Sequence, residues 1–305
     1  MFVLNNILKQ LLNLLFGKSL MPVDSKSGLW LDWASDSEIE KRKDKLLLFD
    51  FKNDGYIKLP ELISHEVCDE LINDFNEYTV KNKLNADTAV DEFGLHSRLC
   101  NFHMISQKAR EIAFESILIA ILDLIFDSEA VLCSSLFFEK GSEQRIHRDG
   151  PFFYTKPRNL FVGVWVALED IQEGTGELLY YPQGHKIPIS IGDIIKSGGG
   201  WNEYTKSIES ECLKHNLSLQ KNLAKKGDIL IWHAELPHGG AAIKKVMQSR
   251  KSIVFHFKER SASIFGEDAF FQRSRVTKFS LFRYLSYEKR KYINQGKPFF
   301  AKNEY

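Results

Sequence analysis

The sequence predicts a mainly β core with flanking α-helices, built as a sandwich, barrel or jelly roll. Three observations carry this. Between residues 131 and 260 lie short apolar runs, VLCSSLFFEK, NLFVGVWVALE, GELLYYP, GDILIWHAE and KSIVFHFK, bounded by Gly, Pro, Asp and Lys as strands are. On either side the apolar residues recur instead at helical intervals. The length, 305 residues, is roughly two average domains of chain, yet barrels and sandwiches routinely use that much as one unit. One integrated domain with a large core is therefore expected.

Taken in order, residues 1–130 read as a helical and irregular segment packed on the core. The N-terminus, MFVLNNILKQLLNLLFGKSLMPV, has no basic n-region and no A-x-A-like site, and Asn, Lys and Gln interrupt its apolar runs. Neither a signal peptide nor a transmembrane segment is expected. Leu4, Ile7, Leu8, Leu11, Leu12 and Leu15 instead give a one-sided apolar helix, docked on its own domain or touching a membrane surface or partner. Segment 36–48 is charged and solvated, 60–84 is a helix beginning at Pro60, and 107–127 reads as one long buried helix. The strands occupy 131–260, interrupted by an insertion at 186–224 that contains Gly198-Gly199-Gly200 and is long enough for a lid or a substrate-facing wall. Residues 261–305 read as a helical segment, centred on 278–293 (FSLFRYLSYEKRKYIN), with a basic, solvated tail.

Composition narrows the function. Lys and Arg number 41 against 40 Asp and Glu, a net charge of +1, which argues against a nucleic-acid or anionic-lipid partner. Apolar residues at 44% and charged residues at 27% argue against disorder, and 23 Phe suit a packed interior. Cys68, Cys100, Cys133 and Cys212 lie far apart with no C-x-x-C pair. That pattern fits neither a zinc knuckle nor a disulfide scaffold, but reduced, buried thiols of a cytoplasmic protein.

Chemistry begins at Gln144-Arg145-Ile146-His147-Arg148-Asp149. On a strand His147 and Asp149 project from one face, two corners of a metal site. A lone H-x-D needs a third ligand. The candidates downstream are His185, His215, His233, His238 and His256. His185 follows a Pro-Gln-Gly turn, and His215 lies in the insertion. His233 is inside a strand-like run, whereas Gly239 and Gly240 let the backbone pass close to whatever His238 touches. His238 is preferred, with His233 the competitor. His256 stands six residues after Arg250, roughly 20 Å along a strand at about 3.3 Å per residue, so the two serve opposite ends of a barrel. Two His and one carboxylate suit non-haem Fe(II) and fill three positions of an octahedron. The rest can take a bidentate 2-oxo acid and O2. A distal carboxylate on that acid needs a cation deep in the barrel, and Arg250 offers a two-pronged donor on the strand face it shares with Ser252.

The runs Val164-Trp165-Val166-Ala167-Leu168-Glu169-Asp170, Gly174-Thr175-Gly176-Glu177-Leu178, Pro182-Gln183-Gly184-His185-Lys186, Gly227-Asp228 and His238-Gly239, in this order, resemble the phytanoyl-CoA dioxygenase family. That family shows W-x-A-L-x-D, N-G-x-L, P-G-S-H-K, and G-D before the strand leading to H-G. The resemblance covers about residues 130 to 260. It implies a double-stranded β-helix, cupin-like, that binds Fe(II) and 2-oxoglutarate and uses O2 to hydroxylate a small-molecule substrate. By position it implies His147, Asp149 and His238 as iron ligands, Arg250 as holder of the distal carboxylate, Trp165 against the cosubstrate and Gln144 near it. Related halogenases carry a small residue at the carboxylate ligand; Asp149 implies hydroxylation instead. The sequence departs from the family at two turns, Thr175-Gly176 for N-G and Pro182-Gln183-Gly184-His185 for P-G-S-H. The alternatives are a metal-dependent hydrolase or isomerase on a cupin-like barrel, which has no need of Arg250, and a non-catalytic ligand-binding barrel, which has no need of the triad. Phe152-Phe153-Tyr154 directly after the H-x-D motif line a substrate mouth or pack a loop.

Overall fold

A computed structural model describes residues 28–82, 98–265 and 284–301. The apolar helix expected at the N-terminus lies outside the described residues. The helices are α1 (Asp36–Ile39), α2 (Lys45–Asp54), α3 (His65–Lys81), α4 (Gln107–Ala113), α5 (Ser116–Phe126), α6 (Ile191–Lys196) and α7 (Trp201–Lys214). The strands are β1 (Tyr56–Leu59), β2 (Arg98–Cys100), β3 (Ala130–Phe138), β4 (Tyr154–Lys156), β5 (Phe161–Ala167), β6 (Leu178–Tyr180) and β7 (Gln220–Asn222). They continue as β8 (Ile229–His233), β9 (His238–Gly240), β10 (Ser252–Glu259), β11 (Ser263–Phe265), β12 (Tyr284–Tyr287), β13 (Arg290–Ile293) and β14 (Phe299–Ala301).

The major sheet has the order β1-β8-β5-β10-β3-β13-β12, with β2 pairing β3 and β14 pairing β2. A smaller sheet, β7-β6-β9, carries His238 and Tyr180 as a directly opposed pair. Side chains alternate across the major sheet, and the alternation sorts them into two cores. Outward-facing Val162, Val164, Val166, Ile229, Ile231, Ile253 and Phe255 join Cys68, Leu71 and Phe75 of α3 and the buried face of α5 in one apolar cluster. The three α3 residues recur at the spacing of one helical stripe, and Phe75 stacks on Phe137 at 4.1 Å. Inward-facing Phe138, Trp165, Leu230, Trp232 and Val254 form the interior of the barrel.

Strand register divides that interior into layers. Phe138, Ser252 and Ala167 lie side by side across β3, β10 and β5; Leu136, Val254, Trp165 and Leu230 form the next row; Ser134, His256, Gly163 and Trp232 form the third. A mainly β jelly roll with flanking helices is thus as the sequence predicts.

Two expectations are corrected. Residues 284–293 are not helical but a β-hairpin, β12–β13, whose Tyr292 pairs with Leu132 of β3. The stretch 107–127 is two helices, because Glu115 caps α5 by accepting the Leu118 N–H at 2.8 Å and ends α4. Strands from both flanking segments also enter the major sheet, at residues 56–59, 98–100, 284–287, 290–293 and 299–301.

His103 is wholly buried and pairs through Nδ1 with Ser135 Oγ at 2.7 Å. Burial, reinforced by the Arg110 guanidinium, pushes its imidazole down to about 3. A histidine kept neutral in the fold contributes stability that is complete above about pH 6.5 and is lost as pH falls toward the folded value. Urea unfolding from pH 7 to pH 4 is expected to show a falling free energy. The His103→Gln variant should lessen that slope by up to about 1.4 kcal/mol per pH unit; an unchanged slope would contradict the assignment.

Candidate metal centre

His147 does not lie on a regular strand. It forms an isolated antiparallel bridge with His238, the two residues exchanging N–H···O bonds of 2.8 and 2.9 Å. Gly239 makes the approach possible: a Cβ there would sit 2.6 Å from the Gln144 carbonyl oxygen. Asp149 is held by its N–H to the Ala234 carbonyl at 3.0 Å. These links bring His147, Asp149 and His238 together, all buried, with ligand atoms within 4.8 Å of one another.

The tautomers follow from the hydrogen bonds. Nδ1 of His147 lies 2.8 Å from the Arg145 carbonyl and Nδ1 of His238 lies 2.9 Å from the Leu236 carbonyl. A carbonyl only accepts, so each Nδ1 carries the proton and each Nε2 presents a lone pair. Those Nε2 atoms face Asp149 Oδ1 at 3.8 and 3.6 Å. Burial, with His238 adding to it, pushes His147 down to about 3, so its imidazole is neutral at neutral pH. Asp149 Oδ2 accepts the Trp232 indole N–H at 2.7 Å. Two imidazoles oriented by backbone carbonyls beside a buried carboxylate are a donor set suited to a divalent transition metal.

At the other end of the interior Arg250 is buried and donates Nε to the Gly176 carbonyl at 3.0 Å and Nη1 to Ser252 Oγ. Its guanidinium lies 5.7 Å from the rings of Phe138 and Trp165. Among the described residues no carboxylate forms an ion pair with it. Burial pulls its pKa down to about 10. Trp165 Nε1, buried in the same space, has no hydrogen-bond partner.

A model of the phytanoyl-CoA dioxygenase (PhyH) family matches residues 51–251. The chain belongs to that family. Human peroxisomal phytanoyl-CoA dioxygenase is 31% identical over 119 residues, which cover 39% of this chain and 34% of the human protein. Phytanoyl-CoA dioxygenase domain-containing protein 1 of Danio rerio is 29% identical over 161 residues, 52% of this chain and 54% of the fish protein. The match therefore spans from a third to about half of these relatives' length. Among solved structures, the epimerase SnoN in complex with Fe3+, alpha ketoglutarate and nogalamycin RO superposes with a TM-score of 0.60 at 15% identity, covering 85% of this chain and 99% of that one. EctD from S. alaskensis with 2-oxoglutarate and 5-hydroxyectoine gives 0.54 at 16% identity, covering 76% and 78%. At these identities the structures show a shared fold.

The other histidines singled out in this PhyH chain lie elsewhere. His233 points to the helix side of β8, 3.3 Å from Asp32 Oδ1 and against Phe51. His185 contacts the Lys52 carbonyl, and His215 caps α7 on the surface. His256 sits in the layer beside Asp149, opposite Arg250, with Nδ1 2.8 Å from Ser134 Oγ and its ring on Phe153. Gln144 borders an open groove with Ile146, Leu179, Thr205 and Glu209.

Sequence reasoning missed three features. Trp232 shares the run with His233 and went unremarked. Trp201, from the insertion, reaches His147 at 6.1 Å between ring centroids and Phe152 at 4.7 Å. Arg148, between the ligands, is buried and donates to Glu235 at 3.2 Å and to the Gly184 and Ile187 carbonyls at 2.8 Å. The lone Gly163 in an otherwise bulky strand was the available signal for Trp232.

Anaerobic titration with Fe(II) or Co(II) separates the competing histidines. His238→Ala is expected to lose more than the 10–100-fold in affinity typical of removing a mere supporting group. His233→Ala should bind metal as the parent does while melting at a lower temperature. Equal metal affinity in His238→Ala and the parent would remove His238 from the site.

Proposed function

We propose that this protein is an Fe(II)- and 2-oxoglutarate-dependent oxygenase that hydroxylates an unactivated C–H of a small molecule. One observation carries the reading. The barrel interior holds the His-Asp-His cluster at one end and, at the other, a buried arginine that pairs with no carboxylate among the described residues, beside a buried Trp165 indole N–H that has no hydrogen-bond partner among them either. A buried cation in that state is costly, and a ligand bearing a carboxylate relieves it. The residues thus fit both groups. His147, Asp149 and His238 would hold the iron; Arg250, fixed by Ser252 and Gly176, would take the distal carboxylate, with Trp165 Nε1 as a further donor. When bound, iron with 2-oxoglutarate and O2 supplies an oxidant that takes a hydrogen atom from a C–H bond, with succinate and CO2 released.

The chain's own part is orientation and exclusion of water. The Arg145 and Leu236 carbonyls keep both ligand imidazoles in the tautomer that offers Nε2. Phe152 and Trp201 wall the metal end with apolar surface on the side of His147. Asp149 supplies a carboxylate where related halogenases have a small residue, which supports hydroxylation over halogenation. A cupin-like hydrolase or isomerase would leave the Arg250–Trp165 end unexplained. The balanced charge of the chain supports a small-molecule substrate over nucleic acid. The four cysteines are free and buried, which supports a reducing compartment such as the cytoplasm. No helix among the described residues is long and apolar enough to cross a membrane.

Anaerobic addition of 2-oxoglutarate to the Fe(II)-loaded protein should produce a visible absorption band, and aerobic turnover should release succinate. Arg250→Ala should weaken 2-oxoglutarate binding by about 2–5 kcal/mol, the range for truncating one side of a buried charge pair, and leave Fe(II) affinity unchanged. Equal 2-oxoglutarate affinity would move the anchor elsewhere. Product mass in chloride buffer should show a gain of one oxygen; a chlorinated product would overturn the hydroxylase reading.

A further inference from the structure

We infer that Trp232 is a positioning residue that restricts Asp149 to single-oxygen ligation, and that Gly163 exists as the slot for its indole. This rests on the metal-site reading above. Alternation along β8 turns Ile229, Ile231 and His233 toward the helices and Leu230 and Trp232 into the barrel. There the two oxygens of Asp149 have separate partners. Oδ2 accepts the indole N–H at 2.7 Å, a charge-assisted bond between buried groups. Oδ1 is the atom facing Nε2 of both histidines, at 3.8 and 3.6 Å. A carboxylate free to present both oxygens can chelate an ion and occupy one more of its positions. With Oδ2 engaged by Trp232, the three residues contribute three ligand atoms, and the rest of the coordination sphere stays available. The same indole packs against the second ligand, with 4.7 Å between the Trp232 and His238 centroids.

Gly163 makes this placement possible. It is the residue directly opposite Trp232 on β5. A Cβ on Gly163 would lie 2.2 Å from Trp232 Cε2 and 2.5 Å from Nε1, closer than carbon can approach either. Nothing in the backbone asks for glycine, since Gly163 is not among the residues with positive φ and lies mid-strand in β5. Glycine in a strand interior costs stability and commonly marks a close approach. Here the approaching group is the indole that holds Asp149, so Trp232 and Gly163 act as one device.

The test compares Co(II) and Fe(II) binding to the apo-protein under anaerobic conditions in the parent, Trp232→Phe, Trp232→His, Gly163→Ala and Leu230→Ala. Calorimetry gives affinity, the Co(II) visible spectrum gives coordination, and thermal melting of the apo-proteins gives stability. Trp232→Phe keeps an aromatic ring and loses the N–H. It should bind metal about 10–100-fold more weakly, as expected for loss of a group supporting a ligand, with altered Co(II) bands. Gly163→Ala should move in the same direction by displacing the ring, and Trp232→His, which retains a ring N–H, should recover part of the loss. Leu230→Ala removes packing from the next layer and should lower the melting temperature with affinity and spectrum intact. If Trp232→Phe matches the parent in affinity and spectrum, Trp232 is filler and the inference fails while the metal site stands. If the parent binds neither ion, both the inference and the oxygenase reading fail.

Discussion

The site depends on one backbone pair. His147 and His238 face each other as an antiparallel hydrogen-bonded couple, each donating its N–H to the other's carbonyl. Such partners have Cα atoms about 5.5 Å apart with side chains on the same face, which brings the imidazole centroids to 4.4 Å. Each ring is then fixed by the carbonyl two residues earlier, Arg145 for one and Leu236 for the other. The device repeats because an imidazole on an extended backbone can fold its Nδ1 back to that carbonyl. The placement of the two imidazoles is therefore set by main-chain bonds. Gly239, passing against Gln144 and Arg145, is the sequence feature that permits it.

The polarity of the barrel interior follows from its layers. Leu136, Val254, Trp165 and Leu230 form an apolar row between the His256 layer and the Ser252 layer. Burial shifts groups on both sides toward neutrality, His147 to about 3, His256 to about 4 and Arg250 to about 10. His147 and His256 are thereby neutral at neutral pH. Arg250 stays charged at neutral pH, so its burial is a standing expense. The side-chain hydrogen bonds it donates to a carbonyl and a hydroxyl offset only part of it. A dicarboxylate reaching from the cluster to Arg250 is the simplest relief of that imbalance.

The strands of the core were legible because each is a short apolar run closed by turn residues: β5, β6 and β8 fall within the runs read from sequence, and β3 and β10 each extend one residue beyond theirs. His238 was separable from His233 by its glycines. What failed depended on partners distant in sequence. FSLFRYLSYEKRKYIN has apolar residues at intervals compatible with a helix, and only the pairing of β13 with β3 makes a hairpin of its latter part. Arg148 and Trp232 are ordinary in sequence; their roles arise from Glu235 and Asp149, brought near by the barrel's closure.

The insertion bears on how the site meets its substrate. A lid that swings would be joined to the barrel through a few exposed contacts, but α7 is not attached that way. Tyr204, Ile208 and Cys212, successive along one face, are buried in a cluster with Ile146, Tyr181 and Ile187. Ile146 immediately precedes the ligand His147, and Ile187 offers its carbonyl to Arg148, which lies between the ligands and pairs with Glu235 in the segment leading to His238. The helix that carries Trp201 is thus packed into the same unit as the H-x-D motif. Moving α7 outward would expose that apolar cluster and strip contacts from the segment that sets His147. The Phe152–Trp201 surface beside His147 is therefore carried by a packed helix and not by an exposed strap.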